Sequence, residues 1–319
     1  MSENLARVHD EYQEAGELLQ RVNAVVSEPA MSQGKAAKEA GISPAALNQW
    51  LQGKYKGDNS EVESKLEKWL SARGRRIEVG KTLPDKKAYI ATPTGERIKD
   101  GLRYGQASKD LLVITSPPGI GKTWAIRSHA VSAPNVWVVT MRPDTACVAA
   151  CLEEIGEVTG FKAVGRSASK ARELIVRMKN TGGLLVCDEA QHLTLAALDE
   201  LRSIHDDAEM GLVLCGNESV YARLTGGNRS ANFAQLFSRI GKRLRLTQPS
   251  KADVTALADA YGVTGKEERQ ALFEISQRPG ALRAVVKTLN FAALMANSNG
   301  DTLNYQYISA AWKELGGEA

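Results

Sequence analysis

The chain of 319 residues carries 41 Lys and Arg against 37 Asp and Glu, a net charge of +4, with 43% apolar and 24% charged residues. That balance excludes disorder throughout, and the length suits two or three domains. No run of about 18 apolar residues occurs and the first residues are polar, so neither a membrane span nor a secretory leader is expected, and a cytoplasmic protein is.

Residues 1–72 are helical in period. Leu5, Val8, Tyr12, Leu18, Leu19, Val22 and Val26 form one apolar stripe, and shorter helices are expected over Gly34–Ala40, Pro44–Leu51 and Glu61–Ala72. Within them, Lys35 to Leu51 reads as a helix-turn-helix. Ala37 is small where two helices would cross, Gly41 supplies the turn, Ser43 caps the second helix and Pro44 opens it. Ile42, Leu47 and Trp50 would pack inside. Ser43, Ala45, Asn48 and Gln49 would face a DNA major groove, with Lys35, Lys38, Lys54 and Lys56 near phosphates. The near-balanced charge of this module does not demand tight sequence-specific binding, and a small helical bundle for protein contact is the plainer alternative.

Residues 73–90 fade into charge, Gly and Pro and read as a linker, part of a basic stretch from Arg73 to Lys109. Residues 91–246 alternate. Apolar runs of strand length at Leu111–Thr115, Val136–Thr140, Leu184–Asp188 and Leu212–Cys215 are separated by helical patterns at Thr123–Val131, Asp144–Val158, Ala168–Met178 and Leu195–His205. Such a series implies a parallel sheet covered on both faces. Residues 247–319 read as helices only: Lys251–Tyr261, preceded by an S-x-x-D cap from Ser250 to Asp253, then Lys266–Ser276, Pro279–Ala296 with Pro279 at the first helical position, and Asn304–Leu315. Cys147, Cys151, Cys187 and Cys215 form no C-x-x-C pair and read as buried small hydrophobes. With only four histidines, no metal bound directly by side chains is expected.

The chemistry concentrates after the first strand. Ser116-Pro117-Pro118-Gly119-Ile120-Gly121-Lys122-Thr123, followed by Trp124, is a phosphate loop between a strand and a helix. Gly119 and Gly121 let backbone N–H groups curl towards phosphates, and the helix N-terminus adds its positive end. Lys122 would reach the β and γ phosphates of ATP, and the Thr123 hydroxyl would hold Mg²⁺. Ser116 stands where such loops usually have their first glycine. Leu184-Leu185-Val186-Cys187-Asp188-Glu189 then ends an apolar strand in two carboxylates: Asp188 for the Mg²⁺ and Glu189 to polarise the attacking water. Asn217, after a further apolar strand, would orient that water.

This set resembles the AAA+ ATPases, with Walker A, Walker B, a sensor 1 Asn and a helical lid. By that resemblance Arg239 is the arginine finger, acting on a neighbouring subunit, and Arg283 in Gln277-Arg278-Pro279-Gly280-Ala281-Leu282-Arg283 is sensor 2; Arg243 and Arg223 are rival fingers. The implied fold is an α/β AAA+ core over 91–246, a parallel sheet with helices on both faces, an all-α C-terminal lid over 247–319 and an all-α N-terminal helix-turn-helix domain over 1–72.

Asn135-Val136-Trp137, Gly216-Asn217, Leu224-Thr225-Gly226-Gly227-Asn228-Arg229, Leu236-Phe237-Ser238-Arg239-Ile240 and the Arg283 motif together resemble the target-DNA activators of Mu-like phage transposition, the MuB family. The resemblance implies an ATPase that forms a homo-oligomer or helical filament on double-stranded DNA with little sequence preference. It implies a transposase partner, stimulated strand transfer, target immunity and no membrane, in the bacterial cytoplasm. Arg166 and Lys170 become candidates for a DNA-facing surface. Lys251, Lys266, Arg269 and Lys287 would face DNA or transposase. A helicase loader or replication initiator, and an ATP-regulated helix-turn-helix transcription regulator, are the competing readings.

Overall fold

The computed structural model describes residues 16–82, 89–161, 165–220 and 240–317, and it forms two compact units that divide between Leu83 and Pro84.

The first unit packs four helices: α1 (16–26), α2 (Gln33–Ala40), α3 (Pro44–Leu51) and α4 (Asn59–Thr82). Its core joins Leu18 and Val22 to Ala37, Leu47, Trp50, Leu66 and Trp69. Leu5, Val8 and Tyr12 lie outside the described residues. Between α2 and α3 the turn forms as its residues dictate. Gly41 takes φ 71°, where a side chain would be strained, and the Ser43 hydroxyl accepts the Ala46 N–H at 3.1 Å. Helix α4 runs beyond the expected boundary at 72, through Arg73, Arg75 and Arg76. These are good helix formers, and no proline intervenes before Pro84.

The second unit is built on five parallel strands: β1 (Leu111–Thr115), β2 (Val136–Thr140), β3 (Leu184–Asp188), β4 (Gly211–Gly216) and β5 (Ile240–Arg245). Their order is β2-β3-β4-β1-β5. Alternate residues feed opposite faces. Leu111, Val113, Leu185, Cys187, Leu212 and Leu214 enter one core; Leu112, Ile114, Leu184, Val186, Val213 and Cys215 enter the other. Helices α7 (Val148–Val158), α8 (Ser167–Met178) and α9 (Leu195–Ala208) cover the first face. Helices α5 (Pro93–Ser108) and α6 (Lys122–Ser132) cover the second.

Helix α5 occupies part of the basic stretch from Arg73 to Lys109, where no helix is expected from the sequence. Its buried stripe is Gly95, Ile98, Gly101, Leu102 and Gly105, at helical spacing but largely of glycine. A Cβ on Gly101 would stand 3.3 Å from the Leu112 side chain, so the glycines let this helix lie close on the sheet. Edge strand β5 also went without an apolar signal, because its Lys242, Arg243 and Arg245 are exposed.

The lid is α10 (Lys251–Ala260), α11 (Lys266–Ser276), α12 (Ala281–Ser298) and α13 (Tyr305–Glu314) around Leu257, Leu272, Val285, Leu289 and Ile308. The Ser250–Asp253 capping box forms as expected. Pro279 does not open α12. Gly280, at φ 101°, precedes the helix, and the Ala281 N–H closes a turn onto the Arg278 carbonyl at 3.1 Å. Cys151, Cys187 and Cys215 are buried; Cys147, in contrast to expectation, is exposed immediately before α7. Burial pushes the Cys151 thiol up to about 12 and the Cys187 and Cys215 thiols well above their ordinary value, so these three remain neutral.

Candidate functional site

Strand β1 delivers the phosphate loop at its C-terminal end, and β3 delivers its two carboxylates beside it. The loop is shaped by two glycines in the left-handed region, Gly119 at φ 90° and Gly121 at φ 99°. Gly119 has a second constraint: a Cβ there would stand 2.0 Å from the Gly280 carbonyl oxygen. The Arg283 N–H donates back to the Gly119 carbonyl at 3.1 Å, so lid and loop meet backbone to backbone here. A Cβ on Gly121 would meet nothing within 4 Å, which leaves space for a phosphate at the start of α6.

Lys122 is buried, and its Nζ donates to the Ser116 hydroxyl at 2.7 Å and to the Ser116 and Pro117 carbonyls at 3.3 Å. Ser116, in the unusual first position, therefore gives the lysine a hydroxyl to rest on. The Thr123 hydroxyl donates to Asp188 Oδ2 at 2.7 Å, and Asp188 is 1% exposed. Hydroxyl and carboxylate form the oxygen pair that a hard divalent cation takes. The residues present therefore fit Mg²⁺ and a triphosphate. Glu189 follows in the left-handed region at φ 55°, a strained turn that lifts its carboxylate out of the sheet.

These elements surround a cavity of about 570 Å³. Pro118, Gly119, Ile120, Gly121, Lys122, Thr123, Trp124, Glu189 and Arg283 all line it, so the fold brings these candidates together. Ser116 and Asp188 are buried beside it. Sequence reading missed the far wall: Tyr89, Ile90, Leu257, Tyr261, Leu282, Val286 and Asn290 make an apolar end between the start of the core and the lid. Burial, with the Glu96 and Asp253 charges, pushes the Tyr89 phenol up to about 12. Burial also raises Tyr261.

Asn217 departs from expectation. It is exposed, and its Oδ1 accepts the Ser219 N–H at 2.9 Å and hydroxyl at 2.6 Å. The amide beside Glu189 is Gln191. Its Nε2 donates to the Glu189 carboxylate and its Oε1 accepts the Asn217 N–H at 3.3 Å. A two-residue offset in a short 3₁₀ turn (Ala190–His192) brings it there, which no spacing rule in the sequence announced. The expected finger Arg239 and its rival Arg223 lie outside the described residues. Arg243 lies on β5.

The nucleic-acid candidates divide. Lys35, Lys38, Ser43, Asn48, Gln49, Lys54 and Lys56 are all exposed around α2 and α3. Arg166 is exposed at the start of α8. Lys170 is not available: it is 5% exposed, and its Nζ donates to the Glu153 carboxylate on α7. Arg166 is the extended cap residue that precedes the helix, whereas Lys170 lies within it on the face packed against α7. Among the described residues no cluster of His, Cys, Asp and Glu could hold a metal by itself, and no helix is long and apolar enough to cross a membrane.

Two family models match the chain: an AAA domain over residues 106–224 and the C-terminal region of the Mu B transposition protein over residues 238–315. The ATP-dependent target DNA activator B of Escherichia phage Mu is 38% identical over 280 residues, 88% of each chain, and that of Escherichia phage D108 matches to the same extent. The Mu-like prophage FluMu DNA transposition protein B of Haemophilus influenzae is 35% identical over 274 residues, 85% of this chain and 94% of that one. Among solved structures, the Aeropyrum pernix ORC1 protein in complex with DNA aligns with TM-score 0.54 and 14% identity over 74% of this chain and 69% of that one. Drosophila ORC bound to DNA aligns at TM-score 0.50 and 13% identity over 78% and 74%. Those likenesses concern the fold, the AAA-type sheet and its helices. The phosphate loop, its carboxylate pair and the lid contact through Gly119 thus stand in a chain that belongs to the family of Mu B transposition proteins, with an AAA ATPase domain at its centre.

Proposed function

We propose that this protein is an ATP-dependent target-DNA activator. In this reading it hydrolyses ATP, binds double-stranded DNA with little sequence preference and assembles on it as a helical filament. It presents that DNA to a transposase and stimulates strand transfer. Transposase-triggered hydrolysis then removes it from DNA near the element, which gives target immunity. The observation that carries the reading is the convergence of Lys122, Thr123, Asp188, Glu189 and Arg283 on one site, in a chain 38% identical to proteins named as ATP-dependent target DNA activators.

Thr123 and Asp188 would hold Mg²⁺, which supplies charge neutralisation on the phosphates. Lys122 would leave the uncharged Ser116 and Pro117 oxygens for the anionic phosphate oxygens, a stronger ion-pair contact. Glu189 would accept the proton of the attacking water, with Gln191 holding the carboxylate in place. Arg283 would bring positive charge from the lid, and Arg239 would do so from a neighbouring subunit. A filament aligns many weak phosphate contacts, so affinity without base readout follows from repetition. Asn48, Gln49 and the exposed lysines of α2 and α3, with Arg166 on the core, are the contacts proposed.

Mobility shift and electron microscopy on unrelated duplexes, with ATP, ADP or no nucleotide, test the reading. ATP-dependent filaments on every duplex are expected. Binding confined to one short site and indifferent to nucleotide would replace it with an operator-binding regulator. A replicative helicase as the partner, in place of a transposase, would turn it into a loader.

A further inference from the structure

The apolar end of the cavity holds polar groups that the phosphate chemistry does not use. On α12, Arg283 and Asn290 are seven residues apart, so both fall on one face, about 10 Å apart along the axis. Arg283 stands at the phosphate loop and Asn290 at the far wall. The helix therefore spans the cavity from its phosphate end to its apolar end. Tyr261, at the end of α10, donates its hydroxyl to Asn290 Oδ1 at 2.7 Å. This bond sets which way the amide faces. Its Nδ2 remains a donor, and Oδ1 retains a second lone pair. Opposite, the Tyr89 hydroxyl is buried without a hydrogen-bond partner among the described residues. A Cβ on Gly95 would stand 2.2 Å from it, so glycine there clears room for this hydroxyl.

We propose that Asn290, oriented by Tyr261, reads the base of the bound nucleotide and selects adenine over guanine. This rests on the nucleotide-binding reading above and deepens it. An amide that offers a donor and an acceptor side by side matches adenine, whose N7 accepts and whose N6 amino group donates on the same edge. Guanine presents two acceptors there, N7 and O6, so Oδ1 would face O6 with no proton between them. That mismatch sets two acceptor oxygens against each other, a penalty adenine avoids, although Lys287 also lines the cavity. Ile90, Leu257 and Val286 supply the apolar contact that either purine would enjoy, so they give affinity without choice.

The test is calorimetric titration of the full-length protein with ATP and with GTP, both with Mg²⁺. Wild type is expected to bind ATP about tenfold more tightly or better, the discrimination of one bidentate amide–base pair. Asn290→Leu should bring ATP binding down to the GTP level with GTP unchanged. Asn290→Asp, which replaces the donor by an acceptor, should weaken ATP by the lost N7 contact and GTP at least as much, because it then faces two acceptors; circular dichroism establishes that either variant is folded. Tyr261→Phe keeps the ring but frees the amide, so it should lose part of the discrimination; a purely structural tyrosine would weaken both nucleotides equally. Equal wild-type affinity for ATP and GTP overturns the base-reading role and leaves the ATPase reading standing. So does a folded Asn290→Leu that still discriminates. Binding of neither nucleotide by wild type overturns both.

Discussion

The Asp253 carboxylate accepts both the backbone N–H of Thr94, at 2.7 Å, and its hydroxyl, at 2.8 Å, across 159 residues of chain. The same carboxylate takes the Ser250 N–H and hydroxyl at 2.8 Å. One buried side chain thus caps the first lid helix and fastens it to the start of α5, beside the wall of the cavity. Position of the lid over the phosphate loop depends on this contact and on the backbone contact between Arg283 and Gly119.

Asp253→Ala should therefore lower stability by about 3 kcal/mol, because four donors lose a charged acceptor in a fully buried place. Burial acts to raise the Asp253 carboxyl; the hydrogen bonds from the Thr94 and Ser250 backbones and hydroxyls outweigh it and hold the group below its ordinary value. The folded form thus binds this proton less readily than the unfolded chain. Its stabilisation is present above about pH 4 and declines as pH falls through the folded value. Denaturant titrations from about pH 6 downward should show a steeper decline below about pH 4 in wild type than in Asp253→Ala.

Gly119→Ala is expected to separate loop from lid. The added methyl meets the Gly280 carbonyl and must also adopt φ 90°, together about 3 kcal/mol. Gly121→Ala faces open space and carries only the backbone strain, about 1–2 kcal/mol. Thermal unfolding should order the two variants accordingly. Equal losses would show that the Gly280 approach is unimportant.

Glu189→Gln should bind ATP as wild type does and hydrolyse it about 100-fold more slowly or worse, the range for a lost general base. Lys122→Ala should instead lose ATP binding itself. Nucleotide affinity and single-turnover hydrolysis, measured on both variants, distinguish the roles.

Gln191→Ala removes the amide between Glu189 and the Asn217 backbone. A fall in kcat of about tenfold with little change in ATP affinity is expected, since it positions the base without touching phosphates. Asn217→Ala should cost less, because its side chain is turned to Ser219. A larger effect at Asn217 than at Gln191 would reverse the two assignments.

For DNA, the Asn48→Ala/Gln49→Ala pair and Arg166→Ala should each weaken ATP-dependent binding, with the Arg166 variant showing a salt slope lower by about 1. Lys170→Ala should affect stability instead, since Lys170 is buried against Glu153. Binding measured from low to moderate salt checks both.

Local chemistry made much of this molecule legible in its sequence. Four strands are continuous apolar runs because both faces of a parallel sheet are buried, and the phosphate loop is recognisable because phosphate binding needs glycines, a lysine and a hydroxyl at fixed spacing. The Ser43 cap, the Gly41 turn and the Ser250–Asp253 box are contacts over three or four residues, and they form as read. Tertiary structure decided the rest. Helix α5 was hidden because most of its buried stripe is glycine, with only Ile98 and Leu102 apolar, and glycine there is useful only against a sheet not yet formed. Lys170 and Arg166 look alike in sequence, but Arg166 is the extended cap before α8 and stays at the surface, while Lys170 sits inside the helix and reaches Glu153 on α7. Gln191 reached Glu189 through a turn after β3, and Asn290 reached the far wall of the cavity through the packing of the lid. Sequence determines interactions whose partners are neighbours along the chain; the wall of a site built from residues 89, 189, 261 and 290 exists only after folding, because chain closure alone brings those groups within reach of one another.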